Sequence, residues 1–290
     1  MQLLDGRLVA RTIKESLSEK TAKLISRGLP KPHLATILVG NNSASEAYVG
    51  SKIKACEEIG FQSAMIRLET DTSEEKMLSI ITGLNTDKNI DGILVQLPLP
   101  AHISEKKIIE TISPSKDVDG FHPENAGRMA QGLPCFLPAT PYGIMLLLEH
   151  YKIETVGRHA VVIGRSNIVG RPMSILLSRN EPFGNCTVTL THSHTKNLKE
   201  LCLHADIIVA ALGKPEFLTA DMVKQNAIVI DVGISRVADP SKRSGFSLKG
   251  DVHFETVAPK CSYITPVPGG VGPMTIAALM MNTYKAATNK

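Results

Sequence analysis

Tyr48 and Lys52 stand at i and i+4 in the run SEAYVGSKIKACEE, so on a helix both side chains share one face. A lysine buried beside an aromatic ring holds its proton less tightly and can take part in proton transfer. The same spacing also describes a solvated face, since Lys54 follows close behind. Gln96 ends the apolar run of DGILVQLPLP. A buried amide must find hydrogen-bond partners, and open α/β sheets place ligands at the carboxyl ends of their strands; the amide alternatively fixes the Pro98–Pro100 turn. Asp117 and Asp119 lie two positions apart in KDVDGFHP. Such a pair can orient a cationic or amide substrate, bind a metal or cap a turn. No Cys/His set accompanies them, so no metal site is expected, and His122 is read as structural.

A second constellation is AVVIGRSNIVGRP, residues 160–172. It reads as strand, tight glycine turn and helix N-terminus. Glycine lets the backbone approach a ligand closely, and the helix start offers unpaired N–H groups to a pyrophosphate. The pattern departs from G-x-G-x-x-G: Ser166 stands where the second glycine is usual. A plain strand-to-helix connection has the same residues. The next strand ends Thr191-His192-Ser193-His194, with no carboxylate to bond a ribose 2′-hydroxyl. Ser193, Arg165 and a histidine suit a 2′-phosphate, which favours NADP over NAD; the alternative is a polar loop. A third stretch, PVPGGVGP (266–273), is a rigid turn before a helix, a cleft wall or simply a tight connection.

The elements that must position these residues follow from periodicity. Helices are expected over 5–26, 45–59, 73–84 and 104–112, and strands over 34–39, 63–68 and 92–97. Asn41, Asn42 and Ser43 are cap types. Residues 114–141 break the alternation as a crossing segment, and Pro141 opens a helix to His150. The alternation then resumes, with strands at 160–163, 187–191, 207–210 and 228–231, helices at 172–178, 196–202 and 220–224, and a last helix over 274–287. The fold class is therefore α/β: two α/β domains with a cleft between them, the C-terminal one a Rossmann-like dinucleotide-binding domain. The first half lacks a dinucleotide fingerprint and is read as the substrate side.

The chain has 290 residues, 43% hydrophobic and 21% charged, with net charge +4. No basic block suggests nucleic acid, no apolar run reaches membrane-span length, and no signal-peptide pattern opens the chain. Five cysteines without a C-x-x-C pair argue against disulfides and structural zinc. A cytoplasmic protein is expected.

YVGSKIKACEEIGF (48–61), DGILVQLPLP, KDVDGFHPENAGR (116–128), VVIGRSNIVGRPMS (161–174), IVIDVGI (228–234) and ITPVPGGVGPMT (264–275) closely resemble the bifunctional methylenetetrahydrofolate dehydrogenase/methenyltetrahydrofolate cyclohydrolase family, in the family's order over nearly the whole chain. The resemblance implies oxidation of 5,10-methylenetetrahydrofolate with NADP, then hydrolysis of the 5,10-methenyl form to 10-formyltetrahydrofolate. It implies that Lys52 is the catalytic proton-transfer group, that Gln96 bonds it, that Tyr48 packs on the folate and that Asp119 anchors the pterin. Gly164, Arg165, Ser166, Ser193 and Ile234 match cofactor-binding positions. It implies a substrate domain over 1–139 with helix 274–290 packing back on it, an NADP domain over 140–273, tetrahydrofolate derivatives as partners and a homodimer through the cofactor domain. Tyr142 and Ala139 depart from the family, which commonly has a basic residue and Cys there. The alternatives are an NADP-dependent dehydrogenase of shikimate or amino-acid type, and a dinucleotide-sensing or scaffold protein.

Overall fold

The computed structural model describes residues 1–242 and 245–289. Residue 290, the last of the expected closing helix, lies outside them. In chain order the elements are β1 (Gln2–Leu3), α1 (Gly6–Ser26), β2 (His33–Val39), α2 (Ser43–Glu58), β3 (Gln62–Leu68), α3 (Glu74–Thr86), β4 (Gly92–Val95), α4 (Glu105–Thr111), α5 (Pro123–Ala130) and α6 (Ala139–His150). Then come β5 (His159–Ile163), α7 (Gly170–Ser178), β6 (Thr187–Thr191), α8 (Leu198–His204), β7 (Ile207–Ala210), β8 (Ala227–Asp231), β9 (Ser235–Ala238), β10 (Phe246–Lys249), α9 (Phe254–Val257), β11 (Cys261–Ile264) and α10 (Val271–Thr288).

The chain forms two compact units. One comprises residues 11–139 and the chain from Ile276 onward, around a parallel three-stranded sheet in the order β3-β2-β4. Ala35, Ile37 and Val39 of β2 and Ile93 and Val95 of β4 form its core with Met77 and Ile81 of α3. All four residues of β4 are buried, as expected of a parallel strand covered on both faces. Each such aliphatic side chain contributes about 1.5–3 kcal/mol by leaving water.

The other unit comprises residues 1–10 and 140–275. Its sheet runs β1-β11-β8-β7-β5-β6, with every pair parallel. After β5 the chain goes first to β6 on one side and later to β7 on the other. That reversal of strand order is where such sheets bind dinucleotides, at the strands' carboxyl ends. All residues of β7 and β8 are buried.

Several features differ from the sequence reading. Residues 1–10, expected with the first domain, group with the six-stranded unit, because Gln2 and Leu3 pair with Tyr263 and Ile264. The crossing segment holds α5, whose start is capped by His122: its Nδ1 accepts from Glu124 N at 3.0 Å. The helix expected at 220–224 is a 3₁₀ turn over Ala220–Met222. The antiparallel pair β9–β10 was not expected at all.

Candidate active site

Helix α2 starts where Asn42 Oδ1 accepts from Ala44 N and Ser45 N, satisfying two N–H groups that a helix start leaves open. Ten positions into that helix, Lys52 is 4% exposed. Its Nζ donates to Gln96 Oε1 at 3.0 Å and stands 4.6 Å from the centre of the Tyr48 ring. Gln96 follows β4, and its backbone N–H donates to Ile37 O at 2.9 Å. Its Nε2 donates to Leu97 O at 2.7 Å, which fixes the amide so that Oε1 faces the lysine. One end of the amide is thus tied to the backbone just before Pro98, and the other meets Lys52.

Burial pushes the Lys52 ammonium below its ordinary range, and the Asp119 carboxylate draws it back up. Burial pushes Asp119 up, and Lys52 draws it down. Lys52, Gln96, Asp119 and Tyr48 thus converge in the three-stranded unit, although the spacing in the chain did not require it. A buried amine that can exist without its proton, beside a carboxylate and a ring, can move protons.

The chain around Asp119 is held by Asp117, in the turn-capping role that was one of its sequence readings, and by Asn282, which the sequence reading left out. Asp117 is a turn anchor: its carboxylate accepts from Phe121 N at 3.1 Å, His122 N at 2.8 Å and Asn125 Nδ2 at 2.9 Å. Burial pushes its pKa up to about 6 against those bonds. Asn282 of α10 is buried and donates from Nδ2 to Val118 O at 2.8 Å and Leu137 O at 2.9 Å. The only signal in the sequence was an amide inside the apolar run AALMMNTY. A depression of about 550 Å³ in the same unit, lined by Asp91, Lys116, Arg128 and Phe136 among others, lies at the amino end of β4 and contains none of the four site residues.

In the six-stranded unit, β5 ends at Gly164 with φ +115°. A Cβ there would stand 2.2 Å from Ala211 O, and one on Gly170 would stand 1.9 Å from Gly164 O. Only glycine permits this fold of the backbone. Ser166 Oγ accepts from Val169 N at 3.1 Å and Gly170 N at 3.4 Å, so it caps the start of α7. Arg165, Ser166 and Ser193 are exposed, as is Ile234 after β8. The His192 ring lies 5.9 Å from that of His194. Burial and then the Arg165 charge push His192 below its usual pKa. The tight glycine cradle and exposed donors at the sheet's switch point fit a dinucleotide.

Residues 4–119 match the catalytic domain of tetrahydrofolate dehydrogenase/cyclohydrolase, and residues 138–290 match its NAD(P)-binding domain. The chain belongs to the tetrahydrofolate dehydrogenase/cyclohydrolase family. Among curated relatives, the bifunctional protein FolD of Cytophaga hutchinsonii is 59% identical over 290 residues, covering 100% of both chains. Among solved structures, the bifunctional FolD enzyme of Campylobacter jejuni superposes with a TM-score of 0.93 at 51% identity, over 100% of this chain and 99% of that one. The Trypanosoma brucei dehydrogenase-cyclohydrolase, complexed with NADP and an inhibitor, gives 0.93 at 37% identity, over 98% and 96%. Membership decides for the folate reading over a dehydrogenase of shikimate or amino-acid type.

Proposed function

We propose that Lys52, Gln96, Asp119 and Tyr48 form one site serving both reactions of a bifunctional enzyme of one-carbon metabolism. The protein is an NADP-dependent methylenetetrahydrofolate dehydrogenase and methenyltetrahydrofolate cyclohydrolase. Bound NADP supplies the hydride acceptor. Gly164, Arg165, Ser166, Ser193 and Ile234 hold it, the glycine turn taking the pyrophosphate and Arg165 with Ser193 the 2′-phosphate.

Tetrahydrofolate derivatives are the substrates. The Tyr48 ring packs on the folate, and Asp119 accepts hydrogen bonds from the pterin. Positioning is most of what the protein contributes to hydride transfer. Hydrolysis of the cationic methenyl carbon needs a water and a base. Neutral Lys52 accepts the proton of the attacking water, while one of its N–H groups stays directed at Gln96 Oε1. A cationic substrate lowers the pKa of Lys52 further, favouring that neutral form. The observation carrying this reading is the buried Lys52 amine bonded to Gln96, with Asp119 in electrostatic reach.

The site division is a substrate domain built on the three-stranded sheet and an NADP domain built on the six-stranded one. The enzyme is a homodimer through the NADP domain, where β6 ends the sheet and offers an edge for pairing. No helix among the described residues is long and apolar enough to cross a membrane. No disulfide joins the cysteines among the described residues, which suits a reducing compartment, and we place the enzyme in the cytoplasm.

The test follows absorbance of purified enzyme given methylenetetrahydrofolate with NADP or NAD. Reduced NADP with little methenyl build-up is expected. Accumulating methenyl product removes Lys52 from its role, and no turnover by folded protein that binds NADP overturns the reading.

A further inference from the structure

Two buried carboxylates in the six-stranded unit lie outside the residues so far given a role. Asp231 ends β8 and is 4% exposed; Asp251, after β10, is 0% exposed. Asp251 Oδ2 accepts from Leu212 N at 2.6 Å and Gly213 N at 2.9 Å, the turn that follows β7. Asp231 Oδ1 accepts from Gly233 N at 3.0 Å and Asp251 N at 2.8 Å, and Oδ2 from Val252 N at 3.0 Å. The backbone completes the clamp: Val232 N donates to Ala210 O at 2.9 Å, and Leu218 N to Asp251 O at 2.9 Å.

The other oxygen of Asp251, Oδ1, is buried without a hydrogen-bond partner. It lies against Gly233, where a Cβ would come within 2.3 Å of it. A buried carboxylate with one oxygen unsatisfied is costly. A core built for stability alone would use a neutral side chain at this place. The charge is explained by the two N–H groups that it holds, because bonds to a charged acceptor are the strong ones.

Those two N–H groups define the turn directly after the carboxyl end of β7, and Gly233 precedes Ile234 at the end of β8. Gly164 touches the same place, its Cβ position lying 2.2 Å from Ala211 O. In a sheet of this kind the first strands, here β5 and β6, seat the adenosine half of a dinucleotide, and the far side of the switch point seats the other half. We infer that Asp251 is a positioning residue for the nicotinamide half of the cofactor: with Asp231 it clamps the turns 212–213 and 233–234 against which that half lies.

This rests on the NADP-dependent reading of the unit. Its test compares wild type, Asp251→Asn and Asp251→Ala for binding of NADP and of 2′,5′-ADP, the adenosine half alone, by calorimetry. Asp251→Ala is expected to weaken NADP by about tenfold or more, the loss of strong hydrogen bonds to a charged acceptor. Its affinity for 2′,5′-ADP stays unchanged, and its KM for NADP rises more than its kcat falls. Asp251→Asn, which keeps one acceptor oxygen, loses less. Equal weakening of both ligands makes Asp251 a general support and overturns the inference, as does unchanged NADP binding. If the alanine variant does not fold, the asparagine variant decides by the same comparison. Wild-type failure to bind NADP would instead strike the functional reading itself.

Discussion

Lys52 Nζ and Gln96 Oε1 meet at 3.0 Å across 44 positions of chain. The contact joins the middle of α2 to the carboxyl end of β4, and it leaves the amide's Nε2 spent on Leu97 O. The amine is therefore oriented by a group that is itself fixed.

Lys52→Met removes the base and keeps the apolar stem. Cyclohydrolase turnover should fall by about 10²–10⁴-fold, the usual worth of a positioned general base. NADP affinity should stay within twofold of wild type, since Lys52 and the glycine turn belong to different units. Stopped-flow hydrolysis of methenyltetrahydrofolate and calorimetry with NADP check the two halves.

Gln96→Glu puts a carboxylate beside the amine. An opposite charge at that distance raises a lysine pKa by about 1–3 units. The neutral form then needs higher pH, so the acid limb of the cyclohydrolase kcat/KM profile should move upward by about one unit or more. A profile that stays in place separates Gln96 from the protonation of Lys52.

Gly164→Ala forces a side chain onto a φ of +115° and within 2.2 Å of Ala211 O. NADP binding should weaken by about tenfold or more, with a lower Tm for the six-stranded unit, because strained backbone of this kind costs about 1–3 kcal/mol. Cyclohydrolase turnover without dinucleotide should persist and reports that the other unit is folded.

Burial and then Asp251 charge act on Asp231, the former as the leading cause, and raise its pKa to about 7 from 3.8 in spite of three N–H donors. The folded state therefore holds a proton that the unfolded chain gives up at lower pH. The contribution is fully present below pH 3.8 and is lost as pH rises toward about 7, an effect of a few kcal/mol. Denaturant titrations of wild type and Asp231→Asn across that window should differ in slope, with the variant flatter.

Asn282→Ala leaves Val118 O and Leu137 O without their donor. Stability should drop by about 2–4 kcal/mol, two buried bonds and their desolvated carbonyls. Because Val118 precedes Asp119, KM for the folate should rise more than kcat falls. Chemical denaturation and steady-state kinetics read the two effects.

The strands β2, β4, β5, β7 and β8 were legible because parallel strands covered on both faces are continuous apolar runs, and α2 because Asn42 marks its start. Two elements that escaped did so for different reasons: β1 is too short for any period, and α5 buries little beyond Asn125 and Met129. Its signal was the His122-Pro123 cap, read as loop. At the site, residue types were legible and their meeting was not. Tyr48 and Lys52 follow from helical spacing, but nothing local brings Gln96 or Asp119 to them. Asp117 and Asp119 look alike in sequence, yet the first is taken up by two backbone N–H groups and the Asn125 amide, and the second lies in electrostatic reach of Lys52. The paired carboxylates Asp231 and Asp251 were invisible because their environment is made of backbone.

Asn282 follows Asp119 by more than half the chain, yet it holds the carbonyl next to Asp119. Synthesis runs from the N-terminal side, so Asn282 leaves the ribosome well after Asp119. A nascent chain thus carries Lys52, Gln96 and Asp119 long before the residue that clasps the backbone beside them is available. The order of synthesis separates having the catalytic side chains from having them held in place.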